Sequence, residues 1–276
     1  MPWLGHLQLH YRLEGRRTTA LDRHHGPLRV LQRLYPEGDA VCHHVLVHPP
    51  GGLVGGDVLE IDAQLDPGTH ALITTPGATR FYRSAGQPAV QQVRAQVAEG
   101  ARLEWLPLET IAYARCQAEN RLAFTLDPGA EMMGWDLLAL GLPAADQPWN
   151  QGRYTQHLTL PGVWLEHAVV DAHDRRLLDS PLGWAGRRVL GTMWFAVGSD
   201  LGTARRAALL DSARDVLSIS LLRSHAGATA PHARVVVVRV LADRVEPAMQ
   251  AMQAVRQAWR SVAWQLDAHP PRIWRT

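Results

Sequence analysis

Apolar and polar side chains alternate along much of the first two thirds of the chain, a pattern typical of β-strands that bury one face. In His6–Glu14, for example, Leu7, Leu9, Tyr11 and Leu13 fall on one side. The same pattern predicts further strands at Arg29–Leu34, Val41–His48, Val58–Leu65 and Ala71–Thr75. Helical periodicity is nearly absent over this part of the chain, so an all-β body is expected.

Four turn-and-strand segments recur within this body and can be aligned on a glycine. They are centred on Gly68, Gly100, Gly129 and Gly162, which lie 32, 29 and 33 residues apart. Each segment has a strand before its turn and another strand after it. A recurrence of about 30 residues predicts stacked hairpins, either in a β-helix-like solenoid or in a layered β-sandwich.

The pattern changes in the last third, where helical periodicity appears after the polar, turn-rich segment Asp174–Trp184. The predicted elements are a strand at Val189–Val197, a helix capped by Thr203 and running through Leu217, a strand at Val235–Leu241 and a helix at Glu246–Trp264. The chain is thus predicted to be mainly β, with an all-β body over residues 1–197 and a helix–strand–helix segment with two α-helices over 198–276. Because that segment needs the body to bury its apolar faces, we expect a single domain over residues 1–276.

The composition is that of an ordinary soluble globular protein. The chain has 276 residues, of which 46% are hydrophobic and 20% are charged, which is enough apolar mass for a core. No window approaches the roughly 18 consecutive apolar residues of a membrane span. The first residues lack the basic segment and apolar run of a secretory signal, and a cytoplasmic location is therefore predicted.

Charge and motifs exclude several functional classes. The net charge is +2 and every basic residue is an arginine, scattered among acidic residues rather than gathered in a stripe, so nucleic-acid binding is not expected. The chain has no phosphate-binding glycine motif with lysine, no nucleophile elbow and no H-E-x-x-H or C-x-x-C pair. Its two cysteines, Cys42 and Cys116, cannot form a zinc tetrad. Cys42 and His44 could share a strand face, but scattered structural histidines are the simpler interpretation.

Six carboxylates stand out because of the apolar or glycine-rich sequence around them: Asp57, Glu60, Asp62, Glu104, Asp136 and Glu166. Asp57 ends a glycine-rich loop, where the local interpretation is that it satisfies loop amides. A charge within apolar strands is costly unless it is paired or hydrated. The set therefore either pairs with arginines such as Arg80, Arg83 and Arg102 or lines a wet interior passage suited to cations, and the residues alone leave both open.

The loop before Asp57 also carries a family resemblance. The segment His48–Ser84 contains, in order, HPPGG, VGGD, TTPGA and FYRS. It is followed by LEWLPLETI at Leu103–Ile111, WDLLALG at Trp135–Gly141 and PRIW at Pro271–Trp274. With these motifs, which span nearly the whole chain, the sequence resembles the urease accessory protein UreD family, called UreH in some species.

The resemblance implies a mostly β fold in stacked layers with two helices, and a role without catalysis. Proteins of that family bind apo-urease together with the accessory proteins UreF and UreG while nickel reaches the active site, and they are thought to carry a water-filled tunnel for nickel. The positions that match are Asp57, Thr79, Asp136 and Glu166. The segment Leu108–Cys116 departs from the usual family pattern, and the resemblance therefore leaves the partner contacts of this segment open.

The leading hypothesis is therefore a urease-maturation scaffold with no permanently bound cofactor and with nickel in transit. The predicted nickel path consists of Asp57, Asp136 and Glu166, with Thr79 shaping its wall. Glu60, Asp62 and Glu104 are kept as tunnel-lining or structural residues. Carboxylate oxygens would hold a dication weakly enough to release it, whereas a histidine and cysteine cage would not. The alternatives are a carboxylate-based metal- or ligand-binding enzyme on a β-sandwich and a purely structural interaction module.

Overall fold

The computed structural model describes residues 3–275, and β-strands dominate its regular structure. The strands are β1 (Leu4–Glu14), β2 (Arg17–His25), β3 (Arg29–Leu34), β4 (Val41–Val47), β5 (Val58–Leu65), β6 (His70–Thr74), β7 (Thr79–Phe81), β8 (Ala89–Val97), β9 (Arg102–Trp105), β10 (Thr110–Ala112), β11 (Gln117–Leu126), β12 (Glu131–Leu140), β13 (Arg153–Leu160), β14 (Trp164–Asp171), β15 (Val189–Val197), β16 (Ala226–His232) and β17 (Val235–Ala242). The α-helices are α1 (Arg175–Asp179), α2 (Thr203–Ser218) and α3 (Val245–Trp259). The mainly β fold class predicted from the alternation is confirmed.

The strands form two sheets, and the chain winds from one to the other. The first sheet has seven strands in the order β14-β13-β11-β8-β5-β1-β2. The second has ten strands and follows the order β16-β17-β15-β12-β9-β6-β4-β3, with the short strands β10 and β7 added beside β12. The central neighbours are parallel in both sheets, and from β4 to β13 the longer strands alternate between them. This winding produces stacked coils like those of a β-solenoid.

Three of the four glycine turns found in the sequence stack on one another at the corner between the sheets. Gly68, Gly100 and Gly129 have positive φ angles of 74°, 69° and 82°, which glycine adopts without steric cost. The amide of Gly100 donates to the carbonyl of Gly129 over 3.2 Å. Gly162, in contrast, closes an antiparallel hairpin between β13 and β14 within one sheet. The prediction of stacked hairpins is thus wrong for the first three segments. Their turns lead from a strand of one sheet to a strand of the other, within one coil of the solenoid.

The helices agree with the sequence in position and differ in number. Helices α2 and α3 lie where the apolar spacing predicts them, and a π-helical turn at Arg260–Trp264 continues α3. The structure adds α1, because its five residues are too few for periodicity to reveal; the Asp174 side chain caps it by accepting the Leu177 amide over 2.9 Å. No helix among residues 3–275 is long and apolar enough to cross a membrane.

Two apolar cores stabilise this arrangement. One lies between the two sheets and includes the fully buried Leu7, Tyr11 and Trp194. The other joins the ten-stranded sheet to α2 and α3 and includes Met252 and Trp259, whose indole donates to a carbonyl of α2 over 2.9 Å. Strands β16 and β17 extend the sheet of the β body, because β17 pairs with β15. Single-domain behaviour over residues 1–276 stays a prediction, which cooperative unfolding would test.

Candidate functional site

A row of amide side chains interrupts the apolar inner face of the seven-stranded sheet. Gln91, Asn120 and Gln156 occupy matching positions on the parallel neighbours β8, β11 and β13. Gln91 Nε2 donates to Asn120 Oδ1 over 3.2 Å, and Asn120 Nδ2 donates to Gln156 Oε1 over 3.2 Å. Asn120 is 1% exposed. Because each amide finds a partner in the next strand, the row is stable inside the protein.

A second polar row faces the first from the ten-stranded sheet. Asp136 on β12, Thr192 on β15 and Arg239 on β17 are direct cross-strand partners. Asn120 Nδ2 connects the rows by donating to Asp136 Oδ1 over 3.0 Å. We call the two rows together with Glu166 the polar seam, whose members are Gln91, Asn120, Gln156, Asp136, Thr192, Arg239 and Glu166. The seam is a continuous polar path through an otherwise apolar interface between the sheets.

The seam widens into a cavity of about 60 Å³ that brings Asp136 and Glu166 together. Thr192, Tyr154 and Gln156 contribute further polar groups to its wall. A buried water occupies roughly 10–15 Å³ on a comparable measure, so the cavity has room for a few waters or for a cation with part of its hydration shell. The two carboxylates that were predicted to lie on one path thus share one cavity.

The two carboxylates of this cavity differ in how their charge is compensated. Burial, together with the charge of Glu166, raises the pKa of Asp136 to about 7. Glu166 comes from the hairpin strand β14, and its Oε2 accepts a hydrogen bond from the Arg239 guanidinium. The Thr192 hydroxyl lies 3.5 Å from the other Glu166 oxygen. Asp136 therefore lacks the strong pairing that buried carboxylates usually need, and a cation between the two carboxylates would supply it.

The other end of the seam opens into a cleft of about 230 Å³, which Gln91 also lines. Thr79, Arg80 and His48 lie on its wall, so Thr79 is placed at a cleft that meets the seam. The glycines of the adjoining loop permit close packing there. A Cβ at Gly52, for example, would lie 2.8 Å from the Arg80 carbonyl oxygen.

Asp57 lies beside this cleft and orders its loop. One carboxylate oxygen accepts from the Trp3 amide over 3.0 Å and the other from the Val54 amide over 3.0 Å. Asp57 is only 8% exposed. These contacts match the local interpretation of a loop-ordering aspartate. Burial lowers the pKa of His48 on the cleft wall, and the charge of Asp57 opposes that shift.

Comparison with known proteins identifies the family. The profile described as "UreD urease accessory protein" matches residues 4–275. A urease accessory protein UreD from Leptothrix cholodnii is 68% identical over the full length of both chains. The one from Variovorax paradoxus is 58% identical over 100% of both chains. The one from Verminephrobacter eiseniae is 59% identical over 99% of both chains. The chain belongs to the UreD family. Membership confirms the resemblance seen in the sequence and supports a role in urease maturation.

In this UreD-family chain, Glu104 lies on the opposite face of the ten-stranded sheet, away from the seam. It is fully buried and contacts His70 Nε2 at 3.0 Å, Arg256 Nε at 2.9 Å and Arg260 Nη1 at 3.0 Å. Burial alone would raise the pKa of Glu104, but Arg256, His70 and Arg260 outweigh it and lower the pKa far below its ordinary value. Glu37 joins this ion-pair cluster through Arg260. The cluster ties α3 and its π-helical extension to the sheet.

Glu60 and Asp62 lie on the outer face of the seven-stranded sheet. Asp62 accepts from Arg94 Nε over 2.6 Å and lies 2.7 Å from His6 Nε2, while Glu60 is 3.6 Å from Arg94. Both carboxylates thus take part in partly exposed ion pairs with Arg94. The arginines that pair with the carboxylates are thus Arg94, Arg239, Arg256 and Arg260, and not the set suggested by sequence proximity.

The sequence also contains a signal for the amide row, separate from the pattern of carboxylates. Asn120 alternates in step with Ala118, Leu122 and Phe124, so it lies with them on the buried inner face of β11. A polar residue at an inward position of an amphipathic strand must find internal partners. Applied to every strand, that criterion would have singled out Asn120 and also Gln156.

Among residues 3–275, the histidine and cysteine side chains form no candidate metal centre. Cys42 and His44 do share the inward face of β4, where His44 Nδ1 lies 2.8 Å from the Tyr11 hydroxyl. Burial lowers the pKa of His44 to about 4, so this imidazole is neutral. Within the described range, no group of three or more histidine, cysteine, aspartate or glutamate residues is placed to hold a metal ion.

Proposed function

We propose that this UreD-family chain is a cytoplasmic, non-catalytic scaffold that acts with UreF and UreG on apo-urease and passes Ni²⁺ through the polar seam. The observation that carries the proposal is the seam itself, which links the 230 Å³ cleft at Gln91 to the cavity shared by Asp136 and Glu166. A polar path through the core is costly to bury and adds no apolar packing, so its presence favours transport over a purely structural role.

The donor set of the seam suits a cation that must move on. Amide, hydroxyl and carboxylate oxygens bind divalent cations of the first transition row more weakly than imidazole or thiolate does. Gln91 and Asn120 offer neutral oxygens, and Asp136 and Glu166 offer charge. In this proposal Ni²⁺ is cargo, and successive weak oxygen ligands let it exchange instead of being trapped.

Each predicted residue has a distinct part in the passage. Asp136 and Glu166 attract the dication into the cavity, and Thr79 forms part of the wall at the cleft. Asp57 contributes negative charge close to His48 and holds the loop that shapes the cleft.

Deletion of the gene in a urease-producing host tests the scaffold role. We expect nickel-dependent urease activity to disappear, and to return when the chain is supplied again. The restored chain should co-purify with UreF, UreG and apo-urease. Full urease activity in its absence would contradict the proposal, and turnover of a substrate by the purified chain alone would favour an enzyme.

A further inference from the structure

Arg239 lies at the outer end of the polar seam. A line of successive cross-strand partners crosses the ten-stranded sheet. It consists of Asp136 on β12, Thr192 on β15, Arg239 on β17 and Gly227 on β16. The seam thus runs from the half-buried Asp136 to an edge of the sheet. Arg239 is the last side chain on this line, because Gly227 has none.

The surroundings of Arg239 show that it belongs to the seam and not to an ordinary solvent-facing row. It lies on the same face of β17 as Val235 and Val237, which are buried in the core between the sheets. A Cβ at Gly227 would meet nothing within 4 Å, so there is open space next to the arginine. The arginine therefore lies between solvent and the cavity.

The guanidinium of Arg239 binds the carboxylate that a cation in the cavity would use. Its Nη2 donates to Glu166 Oε2. The arginine side chain is 52% exposed and that of Glu166 is 14% exposed. Ion pairs with this much solvent access are weak, because water competes for both partners and holding a long side chain costs entropy. The pair is thus easily exchanged for another cation.

We propose that Arg239 is a tethered cation that occupies Glu166 and closes the outer end of the seam until a divalent cation displaces it. A monovalent ion brings no more charge than the guanidinium and lacks its tether, so it does not compete. A dication brings twice the charge and also interacts with Asp136. Arg239 is therefore a specificity-determining residue of the passage, an inference that rests on the proposed function of the seam in cation transfer.

Titration of the purified full-length chain with Ni²⁺ alone, followed by calorimetry, tests the gate. We expect Arg239→Gln to bind Ni²⁺ roughly twofold to fivefold more tightly than the wild type, the range that loss of a weak ion pair represents. Arg239→Lys keeps the charge and should stay close to the wild type. Arg239→Met removes the charge but keeps the aliphatic stem, and it provides the same test if the glutamine variant does not fold.

Two controls separate a gate from a general effect of charge. Arg94→Gln breaks a comparably exposed pair with Asp62 on the outer face and should leave Ni²⁺ affinity unchanged. Adding Glu166→Gln to Arg239→Gln should abolish the gain. Equal affinity in the wild type and Arg239→Gln, the same gain in Arg94→Gln, or a gain that survives Glu166→Gln would each overturn the proposal. The titration contains no urease, UreF or UreG, so failure of the scaffold role in cells is a separate outcome.

Discussion

The two faces of the ten-stranded sheet compensate the charge of their carboxylates in opposite ways. On the helix side, Glu104 contacts two arginines and a histidine, which lower its pKa in spite of complete burial. On the seam side, Asp136 accepts a hydrogen bond from the Asn120 amide, and burial raises its pKa to about 7. Glu104, fully buried and paired with arginines, holds the fold together, whereas Asp136, half-buried and without an arginine partner among residues 3–275, stays available to a ligand.

The largest expected effect is loss of the Glu104 cluster. In Glu104→Ala, Arg256 and Arg260 remain buried without their shared counter-charge, which costs about 3–5 kcal/mol of the free energy of unfolding. Urea denaturation of the purified chain measures this loss. A loss below about 1 kcal/mol would show that the two faces do not differ as described.

The pH dependence of stability sharpens the same contrast. Because the pKa of Glu104 is lower in the folded than in the unfolded chain, its stabilising contribution is present above the ordinary carboxylate pKa of about 4.3 and is lost as the pH falls. The free energy of unfolding should therefore decline in acid by an amount on the order of a few kcal/mol. Glu104→Gln is expected to flatten this decline, and an unchanged acid profile in that variant would contradict the assignment.

Asp136 should respond differently to the loss of its charge. In Asp136→Asn the side-chain oxygen can still accept from Asn120, and no arginine pair is broken. The free energy of unfolding at pH 8 should be unchanged within about 1 kcal/mol, or higher, because a buried charge is removed. Chemical denaturation of Asp136→Asn and Glu104→Ala under the same conditions measures this. If Asp136→Asn lost as much free energy of unfolding as Glu104→Ala, the two faces of the sheet would not differ as described.

The smallest effect is expected on the outer face of the seven-stranded sheet. Asp62→Asn weakens the contacts with Arg94 and His6, both of which are partly exposed. Such pairs contribute about 0–1 kcal/mol to the free energy of unfolding. The variant should also activate urease normally in cells. A marked loss of activation would place the cation path, or a partner, on this outer face.

Much of this architecture follows from residue patterns. Strand β5 has the predicted bounds, and the apolar spacing of α3 reflects the face that it buries. The strand β16 was missed because AGATAPH has little apolar alternation and gains its stability from β17 and from α2. Whether the strand after a glycine turn crosses to the other sheet, as after Gly129, or returns as a hairpin, as after Gly162, depends on neighbours that the turn residues do not encode.

The candidate site was predictable only in part, for a similar reason. Asp136 and Glu166 were identified from the motifs, and the fold places them in one cavity. The arginine partners of Glu104 lie more than 150 residues away along the chain, and no local pattern connects them. Arg239 lies in a run of valines that predicts only a buried strand. The role proposed for Arg239 depends on the pairing of β17 with β15 and on the contact of Arg239 with Glu166 of β14.

The nickel content of urease made in the presence of Asp136→Asn tests nickel transfer through the seam most directly. Urease and its accessory proteins are produced with either the wild-type chain or the variant, and the purified urease is analysed for nickel, with co-purification of the accessory complex as the control. We predict an intact complex and a roughly tenfold lower rate of nickel loading, the factor that about 1.4 kcal/mol represents. Urease loaded with nickel at the wild-type rate in the presence of Asp136→Asn would contradict transfer through the seam.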